Sequence, residues 1–186
     1  MNTPLENKLS MVNSVCRWYA LKVFYNKVFE MERYLKAVGV ETYVPVRVIE
    51  KTIKGENSYF QKPAVSSLMF FRIEETSMKK VLEAIEGRAL VYCRCGSKEP
   101  APIPDREMQV FQLVTSGHQD HLEFFDGNVS KFCTGQRVRV IDGCFKGAEG
   151  YIKRIKGNRR LIVCIEGIVA VATSYIPSCM LEPIND

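Results

Sequence analysis

The sequence predicts an α+β protein of two small modules, a split βαβ antiparallel sheet with helices followed by a small β-barrel. Three observations carry that expectation. Residues 16–116 switch between period-two and helix-period apolar patterns, and residues 134–186 break into short β runs separated by turn pairs. With 186 residues, 46% of them hydrophobic, and a net charge of only +5, the chain has the apolar content for two cores and lacks the polarity of a disordered one. The expected layout is a flexible N-terminus at 1–15, a first domain at 16–116, a linker at 117–133 and the barrel at 134–186.

The run from Cys16 to Phe24 alternates, with Tyr19, Leu21 and Val23 on one face and Trp18, Ala20 and Lys22 on the other, as a strand does. Asn26 is a candidate cap for a helix carrying Val28, Met31, Leu35 and Val38 on one stripe, with Gly39 as its stop. A strand from Glu41 to Ile49 follows, in which Pro45 marks an edge or a bulge because it has no N–H for a ladder. The charged tip around Lys51, Lys54, Gly55, Glu56 and Asn57, with a second arm through Gln61 and Lys62, reads as a protruding hairpin. Leu68-Met69-Phe70-Phe71 is the continuous apolar run of a central strand. Thr76 or Ser77 opens a helix with Met78, Val81, Leu82 and Ile85 on one stripe, and Ala89 to Arg94 gives the last strand of a split βαβ order. Past a proline-rich loop, Asp105 can cap a short helix bearing Met108, Phe111 and Val114.

The segment holding Gly117, His118, His121, Asp126 and Gly127 has turn residues and no sustained period, hence the linker. After it, four of the short runs, Gln136 to Ile141, Gly150 to Lys156, Leu161 to Ile165 and Ile168 to Thr173, alternate with turns, and the expectation of five short strands in this space means a small barrel. Its β-branched residues and glycines predict that it stays β rather than refolding as helices.

Charge is uneven: +4 over residues 1–116, −2 over 117–133 and +3 over 134–186. Two mildly basic modules flanking an acidic connector permit a polyanion partner without requiring one. The hairpin cations Arg47, Lys51, Lys54 and Lys62 are the candidate nucleic-acid contacts, with Lys27 and Arg33 on the first helix as neighbours, since phosphate contacts need no fixed motif. A merely solvated hairpin is the competing reading. In the barrel, Arg137, Arg139, Lys146, Lys153, Arg154, Lys156, Arg159 and Arg160 are expected to project outward, towards a partner or towards solvent.

No apolar run of membrane-spanning length and no secretory leader are evident, which predicts a cytoplasmic protein with no membrane partner. The seven scattered cysteines are expected to be free and mostly buried. His118, Asp120, His121 and Cys133 lack the second matched ligand pair that a tetrahedral site needs, so neither a metal nor another cofactor is expected. No nucleophile elbow, phosphate loop or zinc-protease helix is present, and Glu74-Glu75 would point to opposite faces of a strand, so no enzyme and no catalytic residue are expected.

Gly135, Val138, Arg139, Val140, Gly143, Phe145, Gly147, Gly150 and Ile152, followed by Lys153 and Arg154, resemble the KOW motif of small SH3-like barrels, with Cys144 standing where the family usually has proline. In the first module, Arg17-Trp18-Tyr19, Tyr43-Val44-Pro45 and Pro100-Ala101-Pro102-Ile103-Pro104-Asp105 look like a NusG amino-terminal domain. The two resemblances fall in the family's order. Val114-Thr115-Ser116 and the tail from Ile165 to Thr173 look more like the UpxY-type specialised paralogs.

That resemblance implies a transcription elongation and antitermination factor for selected long operons, often those for surface polysaccharide. Its first domain would receive the clamp helices of RNA polymerase in an open apolar hollow formed by Trp18, Phe24, Val65, Leu68, Phe70 and Met108. Each of these also reads as plain core. Val65-Ser66-Ser67-Leu68 stands where relatives commonly have Phe-Pro-x-Tyr, so aliphatic side chains replace aromatic anchors. The further partners implied are non-template DNA or nascent RNA at the hairpin side, and a ribosomal protein or Rho at the KOW domain. The rival expectation is an RNA-binding module of RRM topology, not linked to polymerase, although the glycine usual on the RRM's central strand is missing here.

Overall fold

The computed structural model describes residues 15–53, 55–116, 122–127 and 129–184. Lys54, the two histidines, Asp120 and the N-terminal segment 1–14 lie outside them.

In the first domain β1 (Cys16–Val23) runs antiparallel to β5 (Leu68–Glu74), in register from Cys16 opposite Glu74 to Lys22 opposite Leu68. The short strands β2 (Glu41–Tyr43) and β6 (Ala89–Val91) complete the order β2-β5-β1-β6. Alternation divides the sheet's side chains into two cores. Tyr19, Leu21, Val23, Met69, Phe71 and Ile73 pack against α1 (Val28–Ala37) and α2 (Met78–Ala84). Trp18, Ala20, Leu68 and Phe70 pack with Met108, Phe111 and Val114 of α3 (Asp105–Ser116). Helices therefore cover both faces of the sheet, which is why the β5 run is apolar without alternation.

Three local expectations give way. The strand expected from Glu41 to Ile49 breaks at Val44-Pro45: proline has no N–H to continue the ladder, and the chain leaves the sheet. It continues as β3 (Val46–Ile53), which pairs only with β4 (Glu56–Pro63) as a separate two-stranded ribbon. Asn26 does not cap α1. It sits with Tyr25 in a left-handed turn, at φ 56° and 57°, while Lys27 precedes the helix without a side-chain cap. Nor does Ser77 make a capping bond to α2, which a 3-10 turn at Glu75–Ser77 leads into instead.

The second domain is one six-stranded antiparallel sheet, where five strands were expected. Its members are β7 (Glu123–Asp126), β8 (Arg137–Val140), β9 (Glu149–Ile155), β10 (Asn158–Ile165), β11 (Val169–Tyr175) and β12 (Leu181–Pro183), in the order β12-β8-β9-β10-β11-β7. Part of the segment expected as linker thus belongs to this sheet. Phe124 stands opposite Val171 in the β7–β11 pairing, Phe125 stacks on Phe132 at 4.4 Å between ring centres, and Val129 is buried. Val138, Val140 and Phe145 are buried, as the alternation requires.

Two glycines are needed for different reasons. Gly143 turns the chain at φ 83° beyond β8. Gly150 lies so close to β10 that a Cβ there would stand 2.2 Å from the Ile162 carbonyl oxygen. The cysteines are not mostly buried: Cys93, Cys95, Cys144 and Cys179 are exposed and Cys16, Cys133 and Cys164 half-buried, because the exposed four fall outside the main sheets, on turns, an isolated bridge and a 3-10 helix.

Candidate functional site

The two domains share a core. The cluster that contains Trp18, Val65, Leu68, Phe70, Met108 and Phe111 continues into Val138, Val140, Leu161, Val163 and Ile165, and α3 is the wall between them, packed against β10. Inside the first domain Trp18 accepts a backbone hydrogen bond from Ile103 (2.8 Å), and the rings of Phe70 and Phe111 meet edge to face at 5.4 Å. Tyr43 and Thr115 join their hydroxyls at 2.6 Å, tying β2 to the end of α3.

At the rim of this wall, Arg106 of α3 donates to the Glu149 carboxylate of β9 at 2.6 Å. Arg139 holds the same oxygen at 2.8 Å and Arg137 the other at 3.6 Å, and only 8% of the Glu149 side chain is exposed. Burial alone would raise the Glu149 pKa, but the hydrogen bonds and charges of Arg139 and Arg106 outweigh it and hold the carboxyl below its ordinary value. At the next position of α3, burial pushes the Glu107 carboxyl up; a hydrogen bond from the Glu166 backbone opposes this and the Glu166 charge adds to it. Arg106, Glu107 and Val110 face Glu149, Gly150, Val163, Cys164 and Glu166 across a cavity of about 220 Å³ between the domains.

The two carboxyls make the contact pH-dependent in opposite directions. Stabilisation through Glu149 is present above its unperturbed pKa and is lost as pH falls through the lowered one. For Glu107 the raised value means the domain-packed form is favoured while the group is protonated, and that preference is lost as pH rises through the raised value. The domain contact is therefore expected to be tightest in mildly acidic solution and looser on either side. NMR of the Val110 and Val163 methyl groups through a pH titration checks this; shifts that move in one direction only would show that one of the two carboxyls does not act.

The residues expected to form an open hollow are thus divided and covered. Trp18, Val65, Leu68, Phe70 and Met108 are together but buried, Trp18 at 5% exposure and Phe70 and Met108 at 0%, beneath α3 and next to the second domain. Phe24 is elsewhere: half-buried, it meets Tyr25 edge-on and lines a hollow with Lys27, Glu30, Met31 and Arg88 on the α1 side. Arg106, Val110 and Glu149 were not singled out in the sequence, and the ion pair between positions 106 and 149 has no local signal in it.

The candidate nucleic-acid residues also separate. Arg47, Lys51 and Lys62 are exposed on the β3–β4 ribbon, whereas Lys27 pairs with Glu30 at 3.2 Å and Arg33 donates to the Phe29 carbonyl within α1. In the second domain the outward cations are mostly engaged: Lys156 and Arg160 with Glu123, Arg137 and Arg139 with Glu149, Lys153 with the Lys131 carbonyl and Thr134, and Arg159 with Ser178.

No group of His, Cys, Asp or Glu among the described residues is arranged to hold a metal, and no helix among them is long and apolar enough to cross a membrane. Phe70 and Phe71 are fully buried, so the central strand offers no ring on which an RRM could stack a base.

A family described as "NusG: Transcription termination factor nusG" matches residues 16–112, from the start of β1 into α3. The chain belongs to the NusG family. It is a NusG-family transcription factor. A solved structure described as "Domain interaction in Thermotoga maritima NusG" is 17% identical, covers 92% of this chain and 98% of that one, and has a TM-score of 0.49. No protein with a curated description matches the chain.

Proposed function

We propose that this NusG-family protein is a UpxY-like, operon-specific antiterminator that docks on the polymerase clamp helices through the α3 side of its first domain. The operons it serves are those for surface polysaccharide. The observation that carries the docking reading is the construction of the α3–β10 contact. Val110 and its apolar neighbours there are held against the second domain by a rim ion pair, Arg106–Glu149, between otherwise separate sheets. Docking then requires the second domain, read as a KOW barrel, to swing off α3. Its free surface is left for a ribosomal protein or Rho.

The expected result is that Arg106→Glu, which sets a second carboxylate against Glu149, raises capture of core RNA polymerase by the full chain on the order of five-fold. Val110→Asp added to it should abolish the gain. Capture of wild type and Arg106→Glu to the same extent would mean that the second domain does not gate docking, and no capture of either would remove the polymerase reading. The UpxY assignment is tested separately, by whether deleting the gene lowers readthrough in surface-polysaccharide operons alone.

A further inference from the structure

Cys133 and Cys164, far apart in the sequence, meet side by side in the second domain. Cys164 lies on β10, and Cys133 just past the 3-10 turn at Val129–Lys131 that follows β7. Alternation along β10 turns Cys164 to the face of the sheet where Ile162, Ala170 and Ala172 are covered by Phe125, Val129 and Phe132. Both thiols also line the cavity between the domains, together with Glu107 and Val110 of α3. The Cys164 thiol donates to the Cys133 sulfur, and the Cys133 thiol donates to the Val129 carbonyl at 3.5 Å.

This chain of donors makes the two thiols unequal. Burial pushes both up, and the Glu107 charge adds to the rise of each, with Glu166 adding to that of Cys133. Accepting the bond from Cys164 opposes the rise of Cys133, whereas donating that bond adds to the rise of Cys164. Lys153, whose ammonium is fixed on the Lys131 carbonyl and the Thr134 hydroxyl, favours the thiolate of either. Cys133 is therefore the thiol that ionises first, and Cys164 the one that follows.

We propose that Cys133 and Cys164 are a dithiol site that a low-molecular-weight disulfide oxidises to an internal disulfide. The Cys133 thiolate attacks one sulfur of the small disulfide and expels the other half as a thiolate, leaving a mixed disulfide. The Cys164 sulfur, giving up its proton, then attacks Cys133 Sγ and expels the second half. The protein loses two electrons and two protons, and the small disulfide becomes two thiols. The new bond fastens the end of the segment joining the domains onto β10, over the small core beneath Phe132. It closes a loop through β8 and β9, which makes the second domain harder to unfold. The site does not rest on polymerase docking, because the bond is detected without polymerase.

The test incubates the full chain with oxidised glutathione, alkylates the remaining thiols and maps the products by mass spectrometry of tryptic peptides. A bond between Cys133 and Cys164 is expected, reversed by dithiothreitol and absent from Cys164→Ser. No Lys or Arg separates Cys164 from Cys179, so Cys179→Ser is the control, and it should form the bond as wild type does. Cys164→Ser should retain one glutathione on Cys133, while Cys133→Ser takes up at least about five-fold less on Cys164. Oxidation should raise the urea midpoint of wild type, followed by circular dichroism, and leave that of Cys164→Ser unmoved. Far-ultraviolet circular dichroism matching wild type certifies that each variant is folded. No linked peptide from the folded chain, a bond from Cys133 to Cys179 instead, or glutathione settling on Cys164 as readily as on Cys133 would each overturn the proposal.

Discussion

Gly150→Val is expected to unfold the second domain while the first survives. A Cβ at position 150 would sit 2.2 Å from the Ile162 carbonyl oxygen, a distance real Cβ atoms essentially never show, and 3.2 Å from a Leu161 methyl group. Relief requires β9 to part from β10, whose pairing runs from Asn158 opposite Ile155 to Ile162 opposite Tyr151. Overpacking of this kind costs about 3 kcal/mol, a large share of what a domain of this size has to lose. Two-dimensional NMR would show the dispersed amide resonances of β8 to β11 collapsing while those of β1 and β5 persist. A spectrum with all of them intact would mean the two strands separate at little cost.

The second large effect is Phe111→Ala. Phe111 is fully buried, edge-on to Phe70, in the cluster that both domains share. Deleting a buried phenyl costs about 3–5 kcal/mol, part of it for the cavity left behind. The loss falls first on the joint between β5 and α3. Trp18, the single tryptophan, lies in the same cluster, so its emission reports the change directly. A urea titration followed by Trp18 emission should shift its midpoint strongly downward, with part of the shift restored in Phe111→Leu. An unmoved midpoint would show that α3 is not integral to the first core.

Residues with strong local patterning were legible in advance. The alternation through Trp18 to Val23, the α1 stripe, the β5 run and the Met108–Phe111–Val114 spacing each encode their element within a few positions, and the structure places their apolar residues in cores except Val38, which falls at the end of α1 and is exposed. Elements specified from far away were not. Glu123–Asp126 is four residues among turn formers, and only its pairing with β11, more than forty positions on, makes it a strand. Leu181–Pro183 is three residues ending in a proline that sits on the sheet's outer strand, where a missing N–H is tolerated. Asn26 has the composition of a cap, yet a left-handed turn with Tyr25 places it outside the helix. The candidate site was partly legible in the same sense. Trp18, Leu68, Phe70 and Met108 do come together, but that another domain lies against them depends on Arg106 and Glu149 meeting across the chain.

The ribbon from Val46 to Pro63 shares no ladder with either sheet. Val46 is anchored against the first core, but from Arg47 outward the ribbon's sequence can drift, or be exchanged between lineages, with little effect on either sheet. A protein built this way can acquire a new target while its chassis stays constant, and grafting that one stretch onto a relative is the economical route to retargeting it.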